Sequence, residues 1–273
     1  MDLKIPVAKI LDFWGTGMPR EKGFSPDRLC VLDEPSRAYE ARMRNMLPEH
    51  IIATGAPQFD TLLNVRTLPR GVMAKYGVEK EKPFMLFVAP SSETRVREVL
   101  NLLFQVLSDV THPIVLGTLW HPRMEKTDKW SAWLRDQLYC LSHVTHIDDE
   151  VLRKIGSTDE LLATANVVVG STSTELVKAC YLRRPVVSIL PQGGINHSEV
   201  LLARDIHELP TSACGASLHT ENFSQLFDCY FDFREGGVRW VRRSQAMLEA
   251  QKANYRLDGK NTKRAVSVVE SFF

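Results

Sequence analysis

The apolar residues of this chain come in short β-branched runs separated by stretches of helical spacing, most regularly from residue 84 onwards. Phe84–Ala89, Ile114–Leu119, Val144–Ile147, Asn166–Val169 and Pro185–Leu190 each read as a buried strand. Between them, Ser91-Ser92-Glu93 caps a helix running to about Leu107, and Trp130, Trp133, Leu134 and Leu138 mark a second helix. Thr158–Ala163 is a short helix and Thr174–Leu182 another. The last two strands with the helix between them make a right-handed βαβ unit. Five strands alternating with helices predict an α/β domain with a doubly wound parallel sheet, Rossmann-like, its binding crevice at the strand carboxyl ends.

The pattern is looser on either side. Lys4–Leu11, Leu29–Leu32 and Ile51–Ala53 read as short strands, with a loop over Gly15–Pro26 and a helix over about Ser36–Met46. Thr54-Gly55-Ala56-Pro57 is a turn, and Glu79–Pro83 is a charged linker to the regular section. After Gly193 the chain predicts a loop, a short helix at Ser198–Arg204 and a last short strand near Glu208–Leu209. Helices follow over Asn222–Phe231, Val238–Lys252 and Thr262–Phe273.

Length and composition narrow the function classes. The 273 residues suffice for one large or two moderate domains, and 34 Lys and Arg against 33 Asp and Glu leave no polybasic footprint for nucleic acid. The five cysteines (Cys30, Cys140, Cys180, Cys214, Cys229) are odd in number and form no CxxC pair, which argues against a disulfide framework or zinc site. A reducing cytosol fits them, and no apolar run suits a signal peptide or a bilayer span. The cytoplasmic expectation is qualified by Arg234, Arg239, Arg242 and Arg243 around Trp240: a solvated helix face, or a peripheral contact with anionic lipid.

The candidate chemistry falls at the strand carboxyl ends: Ser91 and Ser92, then His121 and Arg123, Asp148 and Asp149, Ser171 to Glu175, and finally Gln192, Asn196 and His197. The Ser171-Thr172-Ser173-Thr174 turn offers hydroxyls and backbone N–H groups to a phosphate at a helix N-terminus. Glu175 has two readings: partner of Thr172 in a capping box, at the third helical position, or acceptor for ribose hydroxyls. His121 is either a turn histidine bonded to nearby backbone or a donor to phosphate oxygen, with Arg123 adding charge-assisted bonds. His143 and His146 flank a strand and read as structural, while Asp148-Asp149-Glu150 reads as a solvated loop with helix-capping duty in preference to a magnesium cluster. Gln192 and Asn196 serve turn chemistry or contact sugar hydroxyls.

Thr54-Gly55-Ala56-Pro57 with Asp60, His121-Pro122, Ser171 to Glu175, Arg184-Pro185-Val186-Val187 and Asp258-Gly259, in this order, resemble the GT-B glycosyltransferases. The nearest pattern is the group of CDP-glycerol glycerophosphotransferases, capsule polysaccharide transferases and UDP-GlcNAc 2-epimerases, chiefly their C-terminal nucleotide-binding domain. The resemblance implies a partial N-terminal, acceptor-side Rossmann-like domain with linker at residues 1–70 and a nucleotide-sugar-binding domain at 80–250. Residues 251–273 would form a C-terminal helix packing back on the N-terminal part.

It also implies a UDP-, CDP- or GDP-linked donor, with Ser171 to Thr174 at the diphosphate, Glu175 at the ribose, the Asp148 loop at the base and Gln192 at the transferred group. Transfer of a sugar or glycerol phosphate to a hydroxyl of a polysaccharide or small-molecule acceptor would need neither metal nor cofactor. Non-hydrolysing 2-epimerisation of a nucleotide sugar is the alternative activity. His121, Asp12 and Asp33 are the candidate catalytic groups. A partial N-terminal domain leaves three expectations: a fragment, a partner subunit supplying the missing half, or a binding subunit without activity.

Overall fold

The computed structural model describes residues 5–11, 26–44, 46–79, 82–124, 127–191 and 209–273. Among them every strand runs parallel to its neighbours, in two sheets. The smaller has the order β1 (Ala8–Ile10), β2 (Arg28–Val31), β3 (Ile51–Ala53). The larger comprises β4 (Phe84–Val88), β5 (Ile114–Leu119), β6 (Val144–Ile147), β7 (Val167–Gly170), β8 (Val186–Ile189) and β9 (Leu218–Thr220). Its order is β6-β5-β4-β7-β8-β9. The chain steps outward from β4 to β6 and then returns to the other side of β4, so the winding reverses between β4 and β7. Ligands of open α/β sheets bind in the crevice at such a reversal.

Burial on both faces explains the unbroken apolar strands. Phe84, Leu86 and Val88 point to one face, packing with α5 (Asp149–Ile155), α6 (Thr158–Thr164) and α7 (Thr174–Tyr181) through Leu152, Leu161 and Leu176. Met85, Phe87 and Ala89 point to the other, against α3 (Glu93–Ser108) and α4 (Thr127–Leu138) through Leu100, Phe104, Trp130 and Leu134. The expected doubly wound α/β arrangement is therefore present. The smaller sheet has its own cluster of Leu11, Leu29, Val31 and Ile51.

The spaced motifs Thr54-Gly55-Ala56-Pro57, Asp60 and Asp258-Gly259 meet in one clasp. The Asp60 carboxylate accepts the backbone N–H groups of Asn261 and Thr262, each at 2.8 Å, at the start of the last helix, Asn261–Glu270. Arg264 from that helix donates to the Thr54 carbonyl (2.9 Å) and pairs with Asp258 (2.8 Å). Gly55 lies at φ +78°, and a Cβ there would stand 2.1 Å from Asn261 Oδ1, so both conformation and space demand glycine. The C-terminal helix is thereby bonded to the turn that follows β3.

Several expectations change. A sixth strand, Leu218–Thr220, closes the large sheet beside β8. Leu209 is instead the N-cap of a short helix at Pro210–Ala213. Asp149–Ile155 and Arg70–Ala74 are helical, and Pro57–Asn64 is a 3-10 helix. In the basic cluster, Arg239 and Arg243 both pair with the buried Asp232 (2.5 and 2.8 Å), and Trp240 packs edge-on against Phe233. Two of the four arginines thus spend their charge within the fold. The expected helix at Ser198–Arg204 and loop at Gly15–Pro26 lie wholly or mostly outside the described residues.

Candidate nucleotide site at the sheet switch point

β4 and β7 are hydrogen-bonded neighbours up to the pair Val88 and Gly170. A Cβ on Gly170 would come within 2.7 Å of the Val88 carbonyl oxygen, so only glycine lets the two strands end this close. Immediately beyond lie the two turns singled out in sequence, Ala89 to Ser92 and Ser171 to Glu175. The His121 turn follows β5 on one side of β4. Asp12, Gln192, Asn196 and His197 lie outside the described residues.

The turn after β7 departs from the expected capping box. The N-cap of α7 is Ser173, whose hydroxyl accepts the Glu175 N–H (3.3 Å). Glu175 therefore stands at the second helical position, out of register for a box with Thr172. The chain does build such a box one helix earlier, between Ser157 and Glu160. Glu175 is free of capping duty: Oε1 pairs with Lys178 Nζ at 3.2 Å, and Lys178 is also bonded to Asp159 at 3.0 Å. Its Oε2 is buried and has no hydrogen-bond partner among the described residues. Burial raises the Glu175 pKa, against the pull of Lys178.

Ser171 is 0% exposed, and its Oγ likewise lacks a partner among the described residues. Two buried polar atoms without partners among the described residues thus lie on one turn, at the positive end of α7. Thr172 and Thr174 are half-buried on the same turn and Ser173 is buried. Across the reversal, Ser92 is the N-cap of α3, accepting from Arg95 N, and Ser91 is exposed beside it.

His121 takes the bond to nearby backbone that one sequence reading expected. Its Nδ1 accepts the Arg123 N–H at 3.1 Å, which places the ring proton of the neutral form on Nε2. Burial and the Arg123 charge lower its pKa, so the ring is neutral near pH 7 and still a donor. The Arg123 side chain is exposed. His146 and His143 are structural, as read: His146 Nε2 meets Thr118 Oγ1 at 3.0 Å, with its pKa brought down to about 4 by burial, and His143 Nε2 meets the Leu107 carbonyl. Asp148 caps α5 by accepting from Val151 N (3.2 Å). Among the described residues no three His, Cys, Asp or Glu side chains converge as metal ligands.

Asp33, another of the expected catalytic groups, lies in the interior. It is 1% exposed, accepts from Ser36 N (2.7 Å) and from the Tyr255 hydroxyl (2.9 Å), and so fixes the first helix, Glu34–Arg44, to the C-terminal region. Sequence reasoning passed over Arg153 and Lys178. Arg153 holds Asp149 (2.7 Å) and lies near enough to Glu175 to lower its pKa, and Lys178 neutralises Glu175 directly. Their spacings, Asp149 to Arg153 and Glu175 to Lys178, were the available signal.

Solved structures share this architecture. The chain is similar to the S. aureus MnaA–UDP co-structure, with TM-score 0.63 and 13% identity over 98% of this chain and 69% of that one. It is also similar to the UDP-GlcNAc 2-epimerase of Neisseria meningitidis bound to UDP-GlcNAc (TM-score 0.56, 13% identity, 90% of this chain and 61% of that one). A third is the Methanocaldococcus jannaschii UDP-GlcNAc 2-epimerase in complex with UDP-GlcNAc and UDP (TM-score 0.52, 16% identity, 90% and 61%). The chain spans about three-fifths of the length of the two named epimerases. No protein-family model matches it, and no curated protein does. By its fold, then, this chain is a GT-B-like α/β protein built on the architecture of the UDP-GlcNAc 2-epimerases.

Proposed function

We propose that the chain binds a nucleoside-diphosphate-activated donor, a sugar or glycerol phosphate, in the crevice between β4 and β7 and transfers the activated group to a hydroxyl. The observation that carries this reading is the pair of buried atoms, Ser171 Oγ and Glu175 Oε2, that have no partner among the described residues, on a turn at the sheet reversal. A diphosphate supplies acceptors for the Ser171 to Thr174 hydroxyls and the α7 N-terminus. A ribose supplies O–H donors for Glu175. His121, through Nε2–H, and the Arg123 guanidinium stabilise charge on the departing nucleotide, a diphosphate when a sugar is transferred and a monophosphate when glycerol phosphate is, a task that needs no metal ion. In this reading the loop at Asp148, the N-cap of α5, receives the base.

A second reading is 2-epimerisation of a nucleotide sugar, favoured by the likeness to the Neisseria and M. jannaschii enzymes. The third, a binding subunit completed by a partner half, draws on the three-fifths coverage of those chains. Product analysis separates them. The purified chain is incubated without divalent metal with UDP-, CDP- and GDP-linked donors, with and without a hydroxyl acceptor. Sugar transfer releases free nucleoside diphosphate and glycerol-phosphate transfer free nucleoside monophosphate, each with a modified acceptor; epimerisation returns an isomerised sugar on an intact diphosphate. Binding with neither product supports the partner-dependent reading and contradicts autonomous transfer.

A further inference from the structure

Where β5 leaves the sheet, both backbone polar groups of Trp120 are taken by side chains of α5. The Trp120 N–H donates to Asp149 Oδ1 at 3.0 Å, and Arg153 Nη2 donates to the Trp120 carbonyl at 3.2 Å. Arg153 Nε closes the ring by donating to Asp149 Oδ2 at 2.7 Å. The Trp120 side chain is itself buried, with its indole N–H on Ser131 Oγ at 3.1 Å. The bond to the carbonyl fixes the plane of the peptide that carries the nitrogen of His121.

We propose that Asp149 and Arg153 are positioning residues, which set the direction of the His121 ring by gripping the backbone immediately before it. The role in ligand binding rests on the nucleotide reading above; the grip itself does not. An i,i+4 Asp–Arg pair on one helix face, its arginine about half-exposed, contributes little to stability as an ion pair. A planar guanidinium that spans a carboxylate and a carbonyl instead imposes direction, because its donors are fixed relative to one another. The His121 ring is then held in turn by the Arg123 N–H on Nδ1, so one tautomer with a defined Nε2–H follows from the same turn geometry. Arg153 also acts electrostatically on Glu175, which brings the His121 and Glu175 turns under the influence of one side chain.

The test uses the full chain labelled with 15N-histidine. The wild-type His121 ring is expected to show the Nε2–H tautomer, and Asp149→Ala and Arg153→Met to move it towards tautomer averaging. Arg153→Lys keeps the charge but loses the fork and is expected to show the same change. Affinity for UDP, CDP or GDP, whichever the wild type binds, is expected to fall on the order of tenfold in these variants. In a His121→Ala background the same substitutions should cost no further affinity, although any loss of thermal stability remains. An unchanged His121 spectrum in all three variants overturns the proposal, as does an equal affinity loss with and without His121. If the wild type binds no nucleoside diphosphate, the reading of the site fails, and the histidine spectrum alone decides the positioning.

Discussion

Glu175 concentrates the chemistry of this site at the scale of one residue. Its carboxylate has one oxygen paired with Lys178 and the other buried without a partner among the described residues, a combination that burial makes unfavourable. A polar group kept in such a place is better matched to a ligand than to the apo fold. Glu175→Gln is therefore expected to weaken ribonucleoside diphosphate binding on the order of tenfold while leaving thermal stability unchanged or slightly raised. Dideoxyribonucleotides, which lack the ribose hydroxyls, should bind wild type and variant alike. Isothermal titration and thermal denaturation read the two effects separately. Parallel losses in affinity and stability would show that the carboxylate serves the fold.

Among the elements, the last helix has the most direct anchor. Asp60 accepts two backbone N–H groups at its start, across more than two hundred positions of sequence. Burial would raise the Asp60 pKa, but the bonds from Thr262 and Asn261 and the charge of Arg264 bring it below the ordinary value. Its ionised form is thus the one favoured by folding. The stabilisation is present above the unfolded value near 3.8 and is lost as pH falls through the lower folded value. Asp60→Ala is expected to cost about 1–2 kcal/mol at neutral pH and to speed amide exchange in Asn261–Glu270, with a smaller difference in acid. Equal exchange in both proteins would contradict the clasp.

The same elements explain what could be read from the sequence. Strands buried on both faces leave β-branched runs between polar turns, so β4 to β8 are legible within a residue or two. β9 has only Leu218, His219 and Thr220 and owes its strand form to pairing with β8, which no local pattern records. Thr172 and Ser173 are both competent N-caps, and the placement of α7 against the sheet selects Ser173. That one-residue shift changes Glu175 from a capping partner into a carboxylate paired with Lys178. The grip of Asp149 and Arg153 on Trp120 was illegible because it joins elements about thirty positions apart.

At the scale of the molecule, the order β6-β5-β4-β7-β8-β9 places the serine-threonine turn, sequentially distant from the turn after β4, directly beside it. Helix α7 directs its N-terminus at this junction, and His121 stands one strand away. On the nucleotide reading this junction holds a nucleoside diphosphate. Isothermal titration of the whole chain with UDP, CDP and GDP, in chelator and without divalent metal, tests it most directly. Saturable one-to-one binding of at least one of them is expected, weakened by Ser171→Ala and by Glu175→Gln. Absence of binding by all three, or binding indifferent to both substitutions, would contradict it.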